Sequence, residues 1–379
     1  MKVFLMSIVG QTLIMLYLLY KVNQTSLKKT KWGKVIMALL ILMYLFFLGV
    51  YIARKSIPWE SFGQIMYFLN NYYVIILIYS FIIALIGLGT RIALLLFRKR
   101  WNVSAENKQR WYGYMMLLSL LLLILACNKG YRNTMEPIVS RYEVKIAKPS
   151  PGQEKLRIAL VTDPHIGEIM GLSSIERLAK MVEAEKPDIF LIGGDIFDYD
   201  LRYGEKEGVK ETLKSINSKY GTYIVMGNHE YRGDVEGKKA WLRDAGMLLI
   251  DSLITLPGTD IQLLGRDDHN NPDGRASFSE LAMRYRIDRN KPLLLLDHQP
   301  RQIDEAQSLG IDLAMFGHTH GGQFIPFRFL VQLAFKQIEG ISRYGNTTVV
   351  VSSGYGVAGS PFRVGTRSEL VIIDVEFQK

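Results

Sequence analysis

A short apolar run followed at once by Asp, Asn or His recurs five times between residues 156 and 320. The first three are 156–162 before Asp163-Pro-His165, 188–193 before Gly194-Asp195-Ile-Phe-Asp198, and 222–226 before Gly227-Asn228-His229-Glu230. Residues 292–296 precede Asp297-His298, and 311–316 precede Gly317-His318-Thr-His320. Apolar runs of this length, separated by amphipathic stretches, read as buried strands of a largely parallel sheet. In such sheets ligands sit beyond the carboxyl ends of the strands. Five clusters far apart in the chain are therefore expected along one sheet edge, and they hold five of the six histidines. Imidazole, carboxylate and carboxamide together suit borderline-to-hard divalent metals. The pattern reads as a two-metal hydrolase site.

Between the runs, helices are expected at 173–184, 209–218, 238–245, 278–285 and 301–309. Further strands are expected at 247–256, 261–265, 347–352 and 369–377, with a possible short one at 142–146. Strand–helix alternation followed by more strands predicts α/β layers around a central sheet. The roughly 225 residues from 155 onward are ample for one self-supporting domain. Residues 128–154, with three prolines, read as a linker.

The N-terminal part is of a different kind. Residues 1–149 carry 19 Lys and Arg against 4 Glu and no Asp, whereas the other 230 residues carry 27 basic and 32 acidic. Four stretches, 3–20, 35–52, 74–97 and 112–127, are apolar enough to span a bilayer, which takes about 20 residues. The loop after the first holds Lys21, Lys28, Lys29, Lys31 and Lys34, and the loop after the third holds Arg98, Lys99, Arg100, Lys108 and Arg110. The loop between has only Arg54 and Lys55. Basic loops face the cytoplasm, so both termini and the catalytic domain are expected outside. Basic charge placed this way serves topology, and nucleic-acid binding is not expected. Intramembrane charge is scarce, which argues against a transporter. The single cysteine, Cys127, excludes an internal disulfide.

Residues 155–379 resemble the calcineurin-like metallophosphoesterase superfamily, whose signature D-x-H, GD-x-x-D, GNH-[ED], H, GH-x-H is present in order. The longer endings, Gly317 to Gln323 (GHTHGGQ) and Ser353 to Arg363, look like its membrane-anchored bacterial branch, which includes phosphodiesterases and UDP-diacylglucosamine hydrolases. The resemblance implies a four-layer-type α/β sandwich preceded here by the four transmembrane helices. It implies one metal held by Asp163, His165, Asp195 and His320, and a second held by Asp195, Asn228, His298 and His318, with Asp195 shared. Two divalent ions are expected, Mn²⁺, Fe or Zn²⁺, with Mn²⁺ favoured. His229 is implied as the proton donor to the leaving oxygen, with Asp198 orienting its imidazole.

The expected function is a membrane-anchored phosphodiesterase whose partners are the bilayer and a phosphoester, with a lipid-linked one favoured. The alternatives are a cytoplasmic-facing UDP-sugar-lipid pyrophosphatase and a non-catalytic metal-binding receptor or scaffold. Asp297 reads as a structural carboxylate and His269 as a solvated loop residue. Gly321, Gly322, Gly354 and Gly356 are expected to let backbone approach the metals, and Arg363 to make an ion pair or bind an anion. Residues 324–335 are unusually apolar. Leu330, Leu333 and Ala334 have the spacing of a helix packed on its own core; the other reading is an exposed rim meeting lipid.

Overall fold

The computed structural model describes residues 2–23, 29–53, parts of 69–92, and 121–378. The chain divides into two units, residues 1–128 and 129–379.

In the first unit, helices α1 (Lys2–Asn23) and α2 (Lys31–Ala53) pack side by side, with Met15 of α1 and Phe47 of α2 in one buried cluster that Tyr73 also joins. Thr12 and Tyr44 share a hydroxyl hydrogen bond of 2.6 Å. Among the described residues one helix, over Lys31–Gly49, is long and apolar enough to cross a membrane. In α1 only the shorter stretch Gln11–Tyr20 has that character. Of the expected span at 74–97 the described residues include only a shorter apolar helical stretch, Ile78–Gly89, and the expected span at 112–127 lies partly outside the described residues.

The second unit holds twelve strands in two six-stranded sheets. In chain order they are β1 (Ile138–Pro149), β2 (Lys155–Val161), β3 (Ile189–Gly193), β4 (Thr222–Val225), β5 (Met247–Leu248) and β6 (Ser252–Thr255). Then come β7 (Gln262–Gly265), β8 (Leu293–Leu296), β9 (Leu313–Phe316), β10 (Gly340–Tyr344), β11 (Thr347–Val351) and β12 (Glu369–Gln378). One sheet has the order β1-β12-β2-β3-β4-β5 and the other β10-β11-β9-β8-β7-β6. Strands β2 to β5 run parallel, as do β7, β8, β9 and β11.

Each central strand is apolar on both faces because each face meets a different layer. Ile158 and Leu160 of β2 point between the sheets, where they join Leu294, Leu296, Leu313 and Met315. Their neighbours Ala159 and Val161 face helices α3 (Leu172–Glu185), α4 (Val209–Ser215) and α5 (Val235–Ala245). On the outside of the second sheet, Leu293 and Leu295 meet α6 (Phe278–Tyr285) and α7 (Ile303–Leu309). The result is helix, sheet, sheet, helix. Local signals agree with it: Ser277 and Glu280 form a reciprocal cap at the start of α6, and Gly310 closes α7 in the left-handed region.

Two expectations need correction. Residues 247–256 form two strands in different sheets, with Asp251 at φ 44° between them. The Asp251 carboxylate accepts from Asp267 N at 3.1 Å and Ala276 N at 2.6 Å, which fixes the crossing. The segment expected as a linker supplies β1, paired in parallel with β12 over nearly its whole length.

Candidate metal centre

Parallel register brings the polar clusters together. Val161 lies beside Ile192, and Gly193 beside Val225, so β2, β3 and β4 end level and release Asp163, Asp195 and Asn228 as neighbours. Gly265 lies beside Leu296, and Leu296 beside Met315, so His298 and His318 emerge together from the second sheet. The sheets are then tied across this edge. His298 Nδ1 is 2.8 Å from the Gly193 carbonyl, and His318 N donates to the Asp163 carboxylate at 3.0 Å. Asp163, His165, Asp195, His318 and His320 all have positive φ, between 48° and 70°. Such strain in non-glycine residues collects at sites where side chains must be aimed.

The convergence is tight. His165 Nε2 and His320 Nε2 are 3.1 Å apart, and His320 Nε2 is 3.4 Å from Asp163 Oδ1. Asp195 Oδ2 lies 3.2 Å from His298 Nε2 and 3.9 Å from both His165 Nε2 and His229 Nε2. Three groups could each hold an ion: Asp163, His165 and His320; His165, Asp195 and His229; and Asp195, His298 and His318. Asp195 belongs to two of them. The donors fit divalent cations by a direct test. Asn228 Oδ1 is buried without a hydrogen-bond partner, and a buried acceptor in that state marks a missing cation or donor. Two imidazole nitrogens 3.1 Å apart likewise need a proton or a cation between them.

Electrostatics favour the ligating form of three of the histidines. Burial drives His165 and His320 well below the ordinary imidazole value and His318 down to about 3, so these rings stay neutral, as metal ligation requires. Burial pushes Asp163 up to about 6. For His298 burial is outweighed by the adjacent Asp195, which lifts the imidazole well above its usual value. Asp195 is reciprocally held low against its own burial, chiefly by His298. A cation held there would take the place of that proton.

Around this cluster the expected roles are redistributed. His229 Nδ1 makes a short contact with the backbone carbonyl of Asp198. The Asp198 carboxylate instead stands 3.8 Å from His229 Nδ1 and 3.7 Å from His165 Nδ1, between the two rings. Arg363 makes neither an ion pair nor an open anion site. It is fully buried, donates to the Gly354 and Gly356 carbonyls, and lies 3.0 Å from His320 Nδ1. A Cβ on Gly356 would collide with the Pro164 carbonyl beside the centre, whereas Gly321 and Gly322 are confined by Glu339 and Arg328 instead. Asp297 pairs with Arg275 at 3.0 Å, and His269 lies exposed in a loop.

Glu230 was visible only as the end of its motif, with no role attached. Its buried carboxylate accepts from Asp195 N at 2.8 Å, Phe197 N at 3.1 Å and Gly227 N at 2.7 Å, holding two of the loops in place. Lys238, also buried, donates to the His229 and Arg232 carbonyls; no sequence signal marks it. Replacing Glu230 by alanine strands three buried N–H groups at roughly 1–3 kcal/mol each. The expected loss is about 3 kcal/mol or more, read as a fall in Tm of about 6 °C or more in metal-free protein.

The calcineurin-like phosphoesterase family model matches residues 156–322. A metallophosphoesterase of Campylobacter jejuni is 32% identical over 271 residues, 70% of this chain and 69% of that protein. The chain is a calcineurin-like metallophosphoesterase. The metallophosphoesterase of Helicobacter pylori strain J99 is 35% identical over 228 residues, 58% of this chain; the match spans 60% of that relative's length. A zebrafish relative, named as a transmembrane protein with a metallophosphoesterase domain, is 30% identical over 317 residues, 79% of this chain and 70% of that protein. Metallophosphoesterases of this family generally bind two divalent metals and hydrolyse phosphoesters with them.

Proposed function

We propose that this metallophosphoesterase is a membrane-anchored phosphodiesterase acting on a lipid-linked or membrane-proximal ester. The observation that carries the reading is the Asp195 carboxylate, which belongs to one ligand group with His165 and to another with His298 and His318, while Asp163 and His320 form a third group with His165. One ion would be held by Asp163, His165, Asp195 and His320, the other by Asp195, Asn228, His298 and His318. When bound, such a pair supplies Lewis acidity to the phosphoryl oxygens and a reactive water near neutral pH.

The chain's own residues do the rest. His229 has its Nε2 turned to Asp195 and its Nδ1 donating to the Asp198 carbonyl, so the imidazolium form would give its Nε2 proton to the departing oxygen. The Asp198 carboxylate stands 3.8 Å from Nδ1 of the same ring. The buried cations close to the site, Lys238 and Arg363, spend their donors on carbonyls.

Membrane attachment is supported by the apolar helix over Lys31–Gly49 and by the transmembrane relatives' names. We extend this to four spans with the catalytic domain outside, on the distribution of Lys and Arg between loops. The test is hydrolysis of bis-p-nitrophenyl phosphate and p-nitrophenyl phosphate by the detergent-solubilised full chain with Mn²⁺. Faster diester cleavage, lost in EDTA and restored by Mn²⁺, is expected. Cleavage of the monoester alone would overturn the diester assignment.

A further inference from the structure

Helix α8 (Phe327–Ala334) directly follows the last histidine cluster, and none of its residues is buried. Phe329 is 61% exposed, Leu330 60% and Leu333 86%. The spacing that suggested a core helix is present, but the domain's core is not what that face meets. The helix is held instead by polar contacts at its first turn: Arg328 pairs with Glu339 at 2.6 Å and donates to the Gly321 carbonyl at 3.3 Å. Immediately after it, the Phe335 ring stands edge-on to His318 at 5.4 Å, and the Arg301 guanidinium lies over the same ring at 5.0 Å. Arg301 is exposed, with its Nε on Gln299 and no carboxylate within ion-pair distance among the described residues.

A ligand imidazole, an aromatic ring, an uncompensated guanidinium and an open apolar helix thus form one continuous surface. Apolar patches of this kind mark binding sites on soluble domains. The unpaired positive charge at its edge selects an occupant that is both anionic and hydrocarbon-bearing.

We propose that α8 binds the hydrocarbon chain of a lipid phosphoester substrate, while Arg301, stacked on Phe335, holds its anionic head at the entrance to the metal centre. The proposal rests on the phosphodiesterase reading and names the substrate class for it. The chain also carries a helix able to cross a bilayer, which keeps such lipids at hand.

The test compares methyl and hexadecyl p-nitrophenyl phosphate, cleaved by the full chain with Mn²⁺ in the same detergent micelles. In both, water adds at phosphorus and the bond to p-nitrophenolate breaks, leaving an alkyl phosphate; only the chain differs. The hexadecyl ester is expected to have a kcat/KM at least about tenfold higher, a factor that burial of about two methylenes supplies. Leu330→Glu with Leu333→Glu should bring that ratio close to one. Arg301→Leu should raise KM for the hexadecyl ester about tenfold with little change in kcat, and Arg301→Lys should recover much of the loss.

Equal rates on both esters, or an Arg301→Leu variant with unchanged KM, would overturn the proposal while leaving the phosphodiesterase reading intact. Cleavage of neither ester would remove that reading and the proposal with it. A chain-length preference that survives the glutamates, with a smaller particle on gel filtration, would show that the patch is covered by a second copy instead.

Discussion

Asp195→Asn is expected to abolish metal-dependent hydrolysis, lowering kcat by at least about 10³-fold, while leaving the metal-free protein as stable as the parent. Asparagine has nearly the same shape and tolerates the φ of 51° found here. Its Oδ1 can still accept from His229 N, a bond of 2.7 Å in the native chain. What is lost is the negative charge that two ligand groups share. Without it two dications placed side by side repel each other uncompensated, so at most one is retained. Metal content measured after gel filtration should fall from about two ions to one or none. In the metal-free state the substitution also removes the carboxylate that chiefly lifts the His298 imidazole above its usual value. An unchanged metal content together with full activity would remove Asp195 from the centre.

The sequence made the sheet edge legible because each strand ends abruptly, with an all-apolar run giving way to Asp, Asn or His. Parallel register then places those endings together, and register follows from the burial of both strand faces. Residues 247–256 were harder to read because an apolar run carries no mark of which sheet it joins; the turn at Asp251 is specified by contacts to Asp267 and Ala276, distant in sequence. The spacing of Leu330 and Leu333 identifies a helix face but not what that face meets. The contact of His229 with the Asp198 carbonyl, and those of Arg363 with Gly354 and Gly356, had no signature at all. A main-chain acceptor is available at every residue, so only the folded chain shows which one is used. Arg301 escaped notice for a related reason: its significance comes from Phe335, which lies on another loop.

His229→Ala separates proton donation from metal binding. The His229 backbone N–H, which anchors the loop on Asp195, is untouched, and the ring is replaced at a position only partly open to solvent. Both ions should therefore remain, and metal content should equal that of the parent. Hydrolysis of a diester with an alkyl leaving group should fall by about 10²–10⁴-fold, the range associated with loss of a general acid. An alkoxide is too basic to depart without a proton, so it bears the full loss. The p-nitrophenolate anion spreads its charge into the ring and leaves unaided far more readily. With bis-p-nitrophenyl phosphate the same substitution should cost on the order of tenfold or less. A single loss shared by both substrates would assign His229 to holding the phosphate, because an electrostatic contact to a phosphoryl oxygen does not depend on which group departs. A loss that shrinks as the leaving group becomes more acidic can arise only where the proton is delivered.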